Sequence, residues 1–142
     1  MIELVPLFSA TLGIAPPLML GDGPAGTRVV GEITSAIVEG ERLRATLAGA
    51  AAADWMVRTG SIAVVDVRMT LKSHDDALIY MTYGGRFDLA SPPDQMFAYV
   101  APTFETGDER YAWLNGIQAV GKGRLVSGPD GARLEYEFFE VR

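Results

Sequence analysis

The stretch Pro102 to Asn115 holds Glu105, Asp108, Arg110, Tyr111, Trp113 and Asn115. It offers carboxylates, a guanidinium, a phenol, an indole and an amide beside a predicted strand. A plain core strand has no need of such a set. At the edge of a cavity, the set would bind and protonate a small organic ligand. A buried Glu105 would have its pKa raised and would serve as proton donor or acceptor, whereas an exposed Glu105 would simply bridge the turn to Arg110. Tyr111, Trp113 and Asn115 are expected on one strand face, as an aromatic wall with an amide hydrogen-bond donor, or as core aromatics with a turn asparagine.

Other residues offer similar chemistry. Asp66 and Arg68 are two apart on an alternating stretch, so they share a face and can pair. They form either a polar wall of a cavity or an ion pair on a wet outer face. Arg28 and Glu32 repeat this choice one strand earlier. Asp54 and Trp55 sit near the end of a candidate helix, with Arg58 one turn on. Asp54 is either a solvated charge or an inward-pointing proton carrier. Tyr80 alternates with Leu78 and Thr82 and is a further candidate for the same space. His74 lies in a turn beside Asp75 and Asp76, and one turn histidine does not build a Ser–His–Asp set.

These side chains must be carried mostly on strands. Ile2 to Leu12 alternates, with Pro6 marking an edge position or bulge. A long Gly- and Pro-rich loop follows, Gly13 to Gly26. Thr27 to Val38 and Arg42 to Leu47 read as strands, the first placing Arg28, Val30, Glu32, Thr34, Ala36 and Val38 on one face. Ala48 to Arg58 is the one helix candidate, on its alanines. Ser61 to Ser73 and Leu78 to Tyr83 read as a hairpin, and Gly84 to Gln95 as irregular. Met96 to Thr106 and Ala112 to Ser127 are strands around Gly107-Asp108. Gly128-Pro-Asp-Gly131 turns the chain into Arg133 to Val141. The expectation is a single all-β domain over residues 1–142. It would be an antiparallel barrel of roughly eight strands with one short helix, of a size to hold one small ligand.

Composition narrows the chemistry. A formal charge of −6 disfavours nucleic acid and anionic membranes as partners. There is no cysteine and one histidine, which rules out disulfides and thiolate catalysis and argues against zinc. No apolar run has the length of a membrane helix, and the N-terminus does not read as a signal peptide, so a cytoplasmic location is expected. Gly21, Gly23 and Gly26 precede no helix and do not form a nucleotide loop. No metal or cofactor is expected.

Several motifs, in order and across almost the whole chain, give it a family likeness. They are Gly23-Pro-Ala-Gly-Thr-Arg28, Gly40-Glu-Arg-Leu-Arg44, Ala53-Asp-Trp55, Val65-Asp-Val-Arg68, Ser73-His-Asp-Asp-Ala77 and Phe104 to Asn115. With these the chain resembles the bacterial and fungal family known as domain of unknown function 3237. The resemblance implies a compact barrel similar to allene oxide cyclase and lipocalin-like barrels, often self-associating, with no settled activity. Such proteins commonly carry Asp-Asp-Gly-Ala in the turn that here reads Asp75-Asp76-Ala77. The motif positions Arg28, Asp54, Trp55, Asp66, Arg68, Glu105, Arg110, Tyr111, Trp113 and Asn115 point towards a shared pocket.

The leading expectation is a cofactor-independent isomerase, cyclase or lyase acting by acid–base chemistry on a small aromatic or polyketide-like molecule. Asp66, Asp54 or Glu105 would move the proton, and Arg68 or Arg28 would hold an oxyanion. Trp55 and Trp113 would stack on the substrate, with Tyr111 or Tyr80 donating a hydrogen bond. The alternatives are a small-molecule binding barrel without turnover, or an assembly protein whose charged pairs lie between subunits. The high apolar content is compatible with a homodimer or higher homo-oligomer.

Overall fold

The computed structural model describes residues 1–142. Ten strands follow one another: β1 (Leu4–Ile14), β2 (Leu18–Gly23), β3 (Gly26–Glu39), β4 (Arg44–Leu47), β5 (Ala53–Thr59), β6 (Ile62–Ser73), β7 (Leu78–Asp88), β8 (Ala98–Glu105), β9 (Gln118–Gly128) and β10 (Gly131–Val141). All pairings are antiparallel, and the pairing of β1 with both β10 and β3 closes the sheet into a barrel. The order around the wall is β1, β10, β9, β8, β7, β6, then β4 and β5 together, then β3. β4 pairs with the C-terminal end of β6 and β5 with its N-terminal end, so these two short strands fill one of eight wall positions. β2 continues the line of β1 past Pro16-Pro17 and pairs with the start of β3.

Alternation sets which side chains point inward. On β6, Ala63, Val65, Val67, Met69 and Leu71 are buried, while Ile62, Asp66, Arg68 and Lys72 are exposed. One half of the interior is filled solid. Phe8 packs on Phe138 and Phe104 at centroid distances of 5.1 and 6.0 Å. Leu12, Leu43, Met69, Leu71, Ile79 and Met81 close around them. Gly121 and Gly123 on β9 make room for the stacked rings of Phe138 and Tyr136, since a Cβ there would lie 2.5 and 2.3 Å from those rings.

Four expectations change. Ala48 to Arg58 is not a helix: its second half is β5, hydrogen-bonded between β3 and β6. Two unpaired strand edges outweigh the helix propensity of five alanines, and Gly49 at φ 68° breaks the segment. The loop Gly13 to Gly26 contains β2. The strand expected from Ala112 starts at Gln118, because Glu109–Gly116 forms a 3₁₀ helix, joining a shorter one at Pro93–Gln95. β7 runs on through Gly84 and Gly85 to Asp88 rather than ending at Tyr83. The Pro6 bulge is present, as a register shift between Pro6 and Phe8. In the β6–β7 turn Asp76 itself adopts φ 71°, the left-handed conformation that glycine takes easily and aspartate tolerates better than most residues.

Candidate functional site

The other half of the interior is open. A cavity of about 600 Å³ is walled by β3, β5, β6, β7 and β10 and reaches the mouth bounded by Pro16, Pro17 and Met19. Its lining is mostly apolar: Val29 and Ile33 from β3, Met56 from β5, Val65 and Val67 from β6, Phe87 from β7 and Leu134 from β10. Three charged residues line it: Asp54, Arg58 and Arg124. Asp54, Met56 and Arg58 share the inward face of β5 by strand alternation.

Asp54 is the centre of this site. It is half-buried. Its Oδ1 accepts a hydrogen bond of 2.9 Å from the backbone N–H of Asp66. Burial pushes its carboxyl from 3.8 up to about 6, the hydrogen bond offsets part of that, and the charge of Asp66 adds to it. Across the β3–β5 pair Asp54 faces Gly31, where an added Cβ would meet no atom within 4 Å. The missing side chain leaves space beside the carboxylate.

Two phenols accompany it. Tyr136 lines the cavity, and Tyr83 packs edge-on against it at 5.7 Å between centroids. Burial raises the phenol of Tyr136 to about 12 and that of Tyr83 well above its ordinary 10, and the negative charge of Asp54 pushes both the same way. Both therefore stay protonated, and the Tyr136 hydroxyl is available to donate into the cavity. The Tyr83 hydroxyl is buried beside that of Tyr136, close enough to shift its pKa, but the two make no well-formed hydrogen bond.

Of the candidate site residues singled out from sequence, Asp54 enters this cavity, with Arg58, expected one turn on, on the same face of β5. Asp66 and Arg68 lie on the outer face, because Val65, Val67 and Met69 hold the inner one. They do not pair with each other: the Arg68 guanidinium sits 4.2 Å above the ring of Trp55, also outside. Arg28 donates from Nη1 to the Trp55 carbonyl at 2.7 Å. Its expected alignment with Ala36 and Val38 fails at a register shift between Ile33 and Ser35, which moves the inward set from odd to even positions.

Glu105 and Tyr80 pair across β7 and β8 and line an open groove on the outside, together with Asn115. Glu105 makes no bridge to Arg110. Instead Arg110 clamps Asp108 from Nε and Nη2 at 3.0 and 2.8 Å, and contacts Asp75 from Nη1 at 3.1 Å. Tyr111 donates its hydroxyl to Asp75 at 2.6 Å. Asn115 braces the loop through both backbone groups of Thr106. Trp113 lies 4.4 Å beneath the Arg42 guanidinium. The shared strand face of Tyr111, Trp113 and Asn115 does not exist. In a 3₁₀ helix residues three apart align, so Tyr111 and Leu114 are the buried pair. This dense segment braces the β8–β9 connection against the β6–β7 turn.

The model of the family described as "Protein of unknown function (DUF3237)" matches residues 2–141. The chain belongs to this family. The hydroalkoxylation enzyme phnH of Penicillium herquei is 30% identical over 115 residues, which span 81% of this chain and 70% of that protein. A crystal structure of an enzyme from Penicillium herquei superposes with a TM-score of 0.72 at 25% identity, covering 100% of this chain and 94% of that one. A β-barrel-like protein from Acinetobacter baumannii superposes with a TM-score of 0.88 at 27% identity, covering 100% of this chain and 97% of the other. No three potential metal-ligating side chains gather anywhere in the fold, and no helix is long and apolar enough to cross a membrane.

Proposed function

We propose that this family member is a cofactor-independent acid–base enzyme that adds a hydroxyl group across an activated carbon–carbon double bond of a small aromatic or polyketide-like molecule. The observation that carries this reading is Asp54, a half-buried carboxylate whose pKa is raised to about 6, inside a mostly apolar cavity with two protonated phenols beside it. The likeness to the hydroalkoxylation enzyme supports the same class of chemistry.

The step needs no co-reactant. Asp54 takes the proton of the substrate hydroxyl through an oxygen not occupied by the Asp66 N–H. The hydroxyl oxygen attacks the electron-poor alkene carbon and forms the C–O bond. The π electrons move towards the conjugated carbonyl, whose oxygen becomes an enolate and accepts a hydrogen bond from Tyr136. Asp54 then returns its proton to the neighbouring carbon. The product is an isomer of the substrate. A carboxylate with pKa near neutrality suits both directions of transfer, since neither proton movement is strongly uphill. Tyr83 holds Tyr136 in place by ring packing and is a positioning residue.

The test is turnover of hydroxyl-bearing aryl enones, followed by loss of enone absorbance, in wild type and Asp54→Asn. Loss of turnover with the probe still bound supports the reading. Equal turnover in the two proteins would remove Asp54 from the mechanism. Ligand binding with no turnover of any such enone by wild type would favour a carrier barrel.

A further inference from the structure

Asp54, Met56 and Arg58 occupy alternate positions of β5, all on the cavity side. Along an extended strand, four residues span about 13 Å. Asp54 is half-buried, and Arg58 is exposed at the mouth. Arg124 of β9 lies beside the same cavity but pairs in strand register with Glu135, on the outward face of the wall.

Arg58 has no carboxylate within salt-bridge distance, and it is the arginine on the inward face of β5. The rest of the mouth is apolar, with Met19, Leu89 and Leu125 exposed. The lining therefore has one acid inside, an unpaired guanidinium at the rim, and an apolar stretch between.

We infer that the substrate is an elongated aromatic acid whose anionic group, a carboxylate or a phenolate, is held at the mouth by Arg58, while its reacting hydroxyl reaches Asp54. This rests on the cavity being the reaction site, as proposed above. A guanidinium holds a planar oxyanion through two parallel hydrogen bonds. The net negative charge of the protein opposes an anionic ligand at long range, so a local cation at the mouth is what admits it. Strand spacing then acts as a ruler between the anchored anion and the reacting oxygen.

Two fluorescent probes of nearly equal shape separate the ideas: 8-anilinonaphthalene-1-sulfonate, an anion, and N-phenyl-1-naphthylamine, which is neutral. The Arg58→Gln variant should bind the anion about tenfold or more weakly, with the neutral probe unchanged. Added salt should weaken the anion alone in wild type. Equal affinity of the variant and wild type for the anion would overturn the inference and leave the cavity intact as a site. Gly31→Leu, which fills the space beside Asp54, should exclude both probes. If both still bind that variant with wild-type affinity while circular dichroism shows it folded, the probes sit elsewhere, and the cavity reading falls with the inference.

Discussion

Two aspartates in this barrel have opposite surroundings. Asp75, in the β6–β7 turn, receives hydrogen bonds from the Ser73 hydroxyl at 2.6 Å and the Tyr111 hydroxyl at 2.6 Å, and has Arg110 at 3.1 Å. Those hydrogen bonds, chiefly, hold its carboxyl down to about 2. Asp54 receives one backbone N–H, has apolar walls around it, and is pushed up to about 6. Asp75 has its charge fully answered and is locked in one state. Asp54 is under-compensated and sits where a small change in its surroundings moves a proton. A cluster dense in polar groups can thus hold its charges fixed, while a carboxylate among mostly apolar side chains stays able to exchange a proton near neutrality.

The largest effect that separates the two is on turnover. Asp54→Asn removes the proton acceptor and should lower kcat by about 10²–10⁴-fold. It should keep the fold, since the amide oxygen can still accept from the Asp66 N–H. Asp75→Asn should leave kcat within a factor of about two, because the residue is remote from the cavity, and should lower Tm by weakening the hold of Arg110 and Tyr111 on the turn. Steady-state rates and thermal melts on the two variants test this. Loss of activity in Asp75→Asn at intact fold would move the reaction to the outer groove near Tyr80 and Glu105.

The second effect is a pH dependence of opposite sign. Folding raises the pKa of Asp54, so its protonated form is favoured in the native state. The penalty is absent below about pH 4, grows as pH rises through about 6, and then levels off at roughly 3 kcal/mol. Folding lowers the pKa of Asp75, so its contribution is present above about pH 4 and is lost as pH falls through about 2. Urea denaturation at pH 4 and pH 8 should show Asp54→Asn matching wild type at the lower pH and exceeding it at the higher. Activity should rise with an apparent pKa near 6 as Asp54 ionises. A flat difference between variant and wild type across that range would mean that Asp54 is ordinarily solvated.

The barrel was legible because alternation on β6 and the Gly128-Pro-Asp-Gly131 turn are local signals that topology preserves. The site was only partly legible. Asp54 was singled out with Arg58 one turn on, but read on a helix, which hid that Met56 lies between them on the same strand face. Tyr136 was missed, although it belongs to the row Leu134, Tyr136, Phe138, alternating with Glu135 and Glu137. A tyrosine in an otherwise apolar inward row is the signal that would have found it, and Tyr83 follows Ile79 and Met81 in the same way. Asp66 and Arg68 could not be placed from sequence, since both faces of β6 begin apolar. Only the closure of the sheet decides which face is inside. The bulge that re-aims β3 between Ile33 and Ser35 is set by pairing with β1 and leaves no local mark.

The smallest contrast is between two phenols. Tyr111 has its hydroxyl bonded to Asp75, and Tyr83 has a buried hydroxyl beside that of Tyr136 with no well-formed hydrogen bond. Tyr111→Phe therefore removes a made hydrogen bond and leaves a carboxylate less well held, so it should lower Tm. Tyr83→Phe removes an unmet one and should raise stability by about 1 kcal/mol, since a buried unsatisfied polar group costs about that or more. If Tyr83 only fills space, its phenylalanine variant should be as active as wild type. If it sets the angle of the Tyr136 ring, kcat should fall modestly with KM unchanged, as the hydrogen bond to the developing enolate is made less well in the transition state than in the wild type. A gain in stability together with a loss in kcat would show that the cavity end of the barrel keeps an unfavourable group because the reaction uses it. A loss of stability would mean that the Tyr83 hydroxyl is bonded in solution, and the two phenols would then differ in burial alone.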